Sequence, residues 1–138
     1  MQTNIELSPN EAELIAPILA SFSARAKYQI TLDKLLRAWN KLVMEVENGY
    51  SDSIYEYEND LASRELLQEI LLQAPPSLYG KLMNVLQPLD DRFKEATRAI
   101  QRSLINKESK ELGFWWFRIP KELSNELESD LRTMGILD

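Results

Sequence analysis

Neither cysteine nor histidine occurs in these 138 residues. The first absence excludes disulfides, thiolate nucleophiles, iron–sulfur clusters and the usual structural zinc sites. The second removes the commonest general base near neutral pH, the imidazole metal ligand and every catalytic triad or dyad built on it. Glycine is scarce. Its four copies, at 49, 80, 113 and 135, are isolated, which leaves no glycine-rich phosphate loop. No run reaches the roughly 18 apolar residues of a membrane span, and Met1–Ser8 has no basic or hydrophobic stretch of signal-peptide type. The expectation is a cytoplasmic protein with no membrane role. Bases are outnumbered, 16 against 22 acids, for a net charge of -6. That balance disfavours nonspecific binding to phosphate backbones, and no basic second helix of a helix-turn-helix is evident.

What is present reads as helix. At 16.0 kDa the chain is expected to form one domain, residues 1–138, burying roughly two thirds of its unfolded surface. Ser8-Pro9-Asn10-Glu11 has the capping hydroxyl, first-position proline and third-position glutamate of a helix start, followed by Leu14, Ile15, Ile18, Leu19 and Phe22 at helical spacing. Pro17 lies inside that stripe and predicts a kink or restart. Thr31 caps a second helix whose Leu32, Leu35, Leu36, Trp39, Leu42, Val43 and Val46 recur at steps of three and four until Asn48-Gly49, which makes Trp39 a core residue.

Ser53 and Glu56 open a third helix, Ile54 to Ala74, closed by Pro75-Pro76. A fourth follows from about Ser77 to Leu86. Pro88 then marks a kink or new start, with Leu89, Phe93, Ala96, Ile100 and Leu104 continuing the rhythm to about Ile105. Asp90 and Asp91 are expected in the first turn after that start. Asn106 to Leu112 is polar enough for a loop, and Phe114-Trp115-Trp116-Phe117 between Gly113 and Pro120 predicts a short extended segment over 113–119. Pro120 is expected to open a last helix, with Leu123, Leu127 and Leu131 inward, ending at Gly135. The fold class is therefore all-α: a bundle of five to six helices, kinks at Pro17 and Pro88, and one extended aromatic piece.

Charge is unevenly spread. Residues 45–60 hold six acids (Glu45, Glu47, Asp52, Glu56, Glu58 and Asp60) and no base, whereas residues 92–118 hold seven bases and three acids. The bland account is two solvated faces that partly meet inside the fold. The functional account is an acidic patch that steers a basic partner. Tyr50, Tyr55 and Tyr57 are interleaved with the acids, and tyrosine suits recognition because it adds apolar area and a hydroxyl at small entropic cost. On a helix Tyr55 and Tyr57 point about 200° apart, so one of them faces solvent. Trp115 and Trp116 either anchor the last helix internally or offer an aromatic surface, and Arg118 either stacks on a ring or reaches the acids.

Three readings follow; no cofactor is expected, and only the third would use a metal ion. The first is a non-enzymatic module that presents an acidic, tyrosine-rich surface to a basic protein, such as an inhibitor or immunity-type protein neutralising a toxin or enzyme. Its candidate partner-binding residues are Glu45, Glu47, Tyr50, Asp52, Tyr55, Glu56, Tyr57, Glu58, Asp60, Trp115, Trp116 and Arg118. The second is a self-associating helical protein with the aromatic run as homodimer seam. The third is a carboxylate enzyme using Mg²⁺, for which Glu56 with Asp60, or Asp90 with Asp91, would supply ligands. The helical nucleotide pyrophosphatase pattern is not met, because Glu108-x-x-Glu111 is the sole Glu-x-x-Glu.

Overall fold

A computed structural model describes residues 5–105 and 113–137. Five α-helices follow in order: α1 (Pro9–Ala26), α2 (Leu32–Glu47), α3 (Ile54–Gln73), α4 (Pro76–Ala96) and α5 (Asn125–Thr133). Between α4 and α5 lie a strand β1 (Thr97–Ala99), one 3-10 turn (Phe114–Phe117) and a strand β2 (Arg118–Pro120). The architecture is thus an all-helical bundle with a small β and aromatic extension. The expected loop Asn106 to Leu112, with Lys107, Lys110 and the Glu108–Glu111 pair, falls outside the described residues. Among the described residues no helix is long and apolar enough to cross a membrane.

Local chemistry sets the helix starts. Ser8 and Glu11 form the reciprocal capping box, Thr31 Oγ1 accepts from Lys34 N, and Ser53 Oγ accepts from Glu56 N. Gly49, with φ +93°, ends the α2 region in a conformation that a side chain would strain. α1 runs through Pro17 and α4 through Pro88, each as one helix. The core is one apolar cluster centred on α2, α3 and α4, with Trp39, Val43, Tyr57, Leu61, Leu67, Leu82 and Phe93 at its heart. α2 contributes every one of its predicted stripe residues to that cluster.

The stretch after Ala96 departs from expectation. Helical rhythm continued to Ile105 in the sequence, but the chain leaves the helix at Thr97 and pairs antiparallel with β2, Arg98 opposite Ile119. Tertiary partners decide this. Thr97 Oγ1 donates to Phe93 O (2.6 Å), and Arg118 donates from Nε to Thr97 Oγ1 (2.7 Å) and from Nη2 to Thr97 O (2.8 Å). Leu104 still reaches the core, held by its amide on Trp116 O at 2.8 Å. The extended piece is present only at Arg118–Pro120, because the four aromatics curl into the 3-10 turn and bury both tryptophans. The last helix begins at Asn125 under the Ser124 cap, five residues beyond the proline expected to open it.

Two buried polar clusters tie helices together. In the first, Glu11 of α1 accepts from Lys81 Nζ (2.7 Å), Ser77 Oγ (2.7 Å) and Ser8 N (2.8 Å). Its carboxyl is held down from the ordinary 4.5 to about 2, chiefly by Lys81, then by the Ser8 amide and the Ser77 hydroxyl, against the opposing pull of burial. A depressed carboxylate adds stability that is present above the ordinary value and lost as pH falls through the folded one. Burial raises Glu58 and Asp60, which act in the opposite sense and soften the loss. The Glu11→Gln variant is therefore expected to show a flatter fall in urea midpoint between about pH 4.5 and pH 2 than the wild type. Identical slopes in both proteins would exclude Glu11 as the acid-sensitive group.

In the second cluster, Asp90 accepts from Arg64 twice, Nε to Oδ1 at 3.0 Å and Nη2 to Oδ2 at 2.8 Å, and from Trp39 Nε1 at 3.0 Å. Arg64 also donates to Gln68 Oε1 (3.1 Å), and its guanidinium lies 4.6 Å from the centre of the Trp115 ring. Asp90 is thus an interior residue of α4 and not part of a first helical turn.

Candidate functional site

The N-terminal end of α3 gathers most of the predicted acids, with three different fates. Glu47 and Glu45 are engaged by bases: Arg92 Nε donates to Glu47 Oε2 at 2.9 Å, and Lys41 Nζ lies 3.4 Å from Glu45 Oε1. The Arg92 contact lowers the Glu47 carboxyl and raises the Arg92 guanidinium, each through their mutual hydrogen bond. Here the acidic and basic segments of the sequence do meet inside the fold.

Asp60 turns toward Tyr50, whose hydroxyl donates to Asp60 Oδ2 at 2.9 Å. Burial raises the Asp60 carboxyl, the Tyr50 hydrogen bond opposes that rise, and the charges of Glu45 and Glu56 add to it. The Tyr50 phenol is raised by burial and by Asp60, Asp52 and Glu45. Three carboxylates, Asp60, Asp52 and Glu45, therefore bear on one buried ring. Tyr57, fully buried, meets Tyr50 edge to face at 5.2 Å and donates its hydroxyl to Arg118 O at 2.8 Å.

In the third set Asp52 and Glu56 face solvent and Glu58 is half-buried. Asp52 accepts from Ser53 N, and among the described residues no base forms an ion pair with Asp52, Glu56 or Glu58. Tyr55 is 77% exposed. Tyr55 and Glu58 line a shallow groove of about 230 Å³ with Ile54 of α3 and with Asp130, Thr133 and Met134 from the end of α5. Asp130 locks the two helices, since its Oδ2 accepts from Ile54 N at 3.1 Å and so satisfies an α3 amide that lacks an intrahelical partner. Burial raises the Glu58 carboxyl. The groove thus combines an apolar floor (Ile54, Met134), an aromatic wall and two carboxylates.

Several residues read as candidates for this surface lie elsewhere. Trp115 and Trp116 are buried, Trp116 donating to Glu65 Oε2 at 3.2 Å, so neither tryptophan is presented at the surface, while Phe114 and Phe117 are half-buried. Tyr50 and Tyr57 are core residues. Among the described residues Arg118 neither stacks on a ring nor reaches an acid; its guanidinium serves Thr97 and Lys94 O. Asp90 and Asp91 share no site, because Asp90 faces Arg64 while Asp91 accepts from Gln87 at 2.9 Å on the exposed side. Among the described residues no group of three or more acids is placed to hold a metal ion. Sequence reasoning missed Asp130, Thr133 and Met134, since α5 lies some seventy positions from α3 along the chain and no local pattern says which helix end it meets. No protein-family model matches the chain, and neither a curated protein nor a solved structure is significantly similar to it, which leaves the geometry of this groove as the guide to its role.

Proposed function

We propose that the chain is a non-enzymatic protein-binding module, of the inhibitor or immunity type, whose acidic surface at the start of α3 receives a basic partner. The observation that carries this reading is the groove in which exposed Tyr55 stands beside the carboxylate of Glu58, which forms no ion pair among the described residues, with Asp130 opposite. Burial already disfavours the charged form of Glu58, and burial together with the charges of Glu45 and Glu56 disfavours that of Asp60. A cation brought against them relieves that cost, so charge complementarity here adds affinity as well as steering. The tyrosine ring supplies a face for the same cation and apolar area around it.

Titrating the isotope-labelled chain with a short lysine- and arginine-rich peptide tests this. Amide shift changes are expected to concentrate on residues 52–60 and 130–134. Changes centred on another face, or spread evenly over the acidic surface, would overturn the assignment of the site.

A further inference from the structure

The acidic groove has a neighbour of opposite sign along the segment that ends α5. Arg98, Gln101 and Arg102 line a larger, mostly polar depression of about 510 Å³ with Gly135 and Ile136, directly after the Thr133 and Met134 that line the acidic groove. Arg102 is tethered there, since its guanidinium donates to the carbonyl of Met134 and so fixes a cation at the end of α5. Arg98 is exposed on β1, with its backbone paired to Ile119, and forms no ion pair among the described residues. One chain therefore carries an acidic groove and a basic one at the end of α5, and among the described residues Glu58, Asp130, Arg98 and Arg102 form no ion pair.

We infer that the occupant of the acidic groove, when no other basic partner is present, is a second copy of this chain. Because both grooves adjoin residues 133–136 at the end of α5, a two-fold axis beside that segment places Arg98 and Arg102 of each copy against Glu58 and Asp130 of the other, making both contacts at once. The net charge of -6 opposes such a pair at long range, whereas the local complementarity favours it at contact. The pair is held by charge, so it dissociates as salt is raised. It also covers the surface assigned above to a basic partner, which makes self-association and partner capture mutually exclusive. The inference goes beyond the recognition role and is tested apart from it.

The experiment is sedimentation of the full chain at low and high ionic strength, with two single variants and their mixture. Wild type is expected to form a closed dimer at low salt and to fall to monomer at about 1 M salt, where the screening length is about 3 Å. Glu58→Lys and Arg98→Glu each set like charges together and are expected to weaken the dimer by more than about tenfold. Mixed in equal amounts, the two variants restore opposite charges at both contacts, and the dimer returns. Helical circular dichroism of each variant alone checks that both fold. A wild type that is monomeric at low salt, a dimer that survives in Arg98→Glu or in high salt, open-ended chains, or a mixture that stays monomeric would each overturn the inference. Arg98→Glu leaves the acidic groove intact, so basic-peptide binding by that variant separates failure of the dimer from failure of the recognition site.

Discussion

Asp90→Ala is expected to cost about 3–5 kcal/mol of folding stability, the range for removing one partner of a buried ion pair. Three donors converge on this carboxylate, two from Arg64 and one from Trp39 Nε1, and all are sealed from water. Truncation leaves a buried guanidinium without its counter-charge and an indole N–H without an acceptor. For a chain of this length the melting temperature is expected to fall by about 10 °C or more. The cost reflects the orphaned charge more than any large net worth of the pair. Accordingly, the double replacement Arg64→Met with Asp90→Leu is expected to recover most of the loss. Denaturant melts of the single and double variants check both statements. A single variant within about 1 kcal/mol of wild type would show that water reaches the pair.

Gly113→Ala is expected to destabilise by about 3 kcal/mol, the upper part of the usual cost of overpacking. The backbone at Gly113 is ordinary, φ -66°, so alanine meets no conformational strain there. The penalty is steric: an added Cβ overlaps the Trp115 ring carbons Cζ2, Cζ3 and Cη2. That ring is fixed on its other sides by Arg64 and by Phe114, whose ring meets it nearly perpendicular at 5.1 Å. The indole must therefore shift, and the stack over the buried ion pair shifts with it. Shortening the ring in a Gly113→Ala, Trp115→Leu double variant is expected to cost less than the sum of the two single changes. Strict additivity in urea melts would show that the overlap is relieved elsewhere.

How far these features were readable from sequence depends on their range. The Ser8, Thr31 and Ser53 caps involve partners three residues away and are visible as local patterns. The α2 stripe is visible because one helix faces one core, so burial repeats the helical period. The end of α4 is not visible, because Ile100 and Leu104 keep the spacing of a helix while meeting the core from the irregular stretch that follows β1. What stops the helix is Arg118, twenty-one residues from Thr97. The Arg64–Asp90 pair is equally silent, since separate helices bring the two together across twenty-six positions. In the candidate site, helical geometry foretold that Tyr55 and Tyr57 must diverge, but not which would be buried; the Arg118 carbonyl takes Tyr57. The fate of Glu47 was set by Arg92, forty-five positions away, and the far wall of the groove by α5, neither of which leaves a trace near residues 45–60.

Affinity capture with the wild-type chain and the Glu56→Lys, Glu58→Lys double variant tests the central claim most directly. Both carboxylates are free of ion pairs among the described residues, so reversal is expected to leave the melting temperature within a few degrees of wild type. The account predicts that a basic protein retained by the wild type is lost by this variant while the fold is kept. Equal retention of that protein by both chains would contradict it.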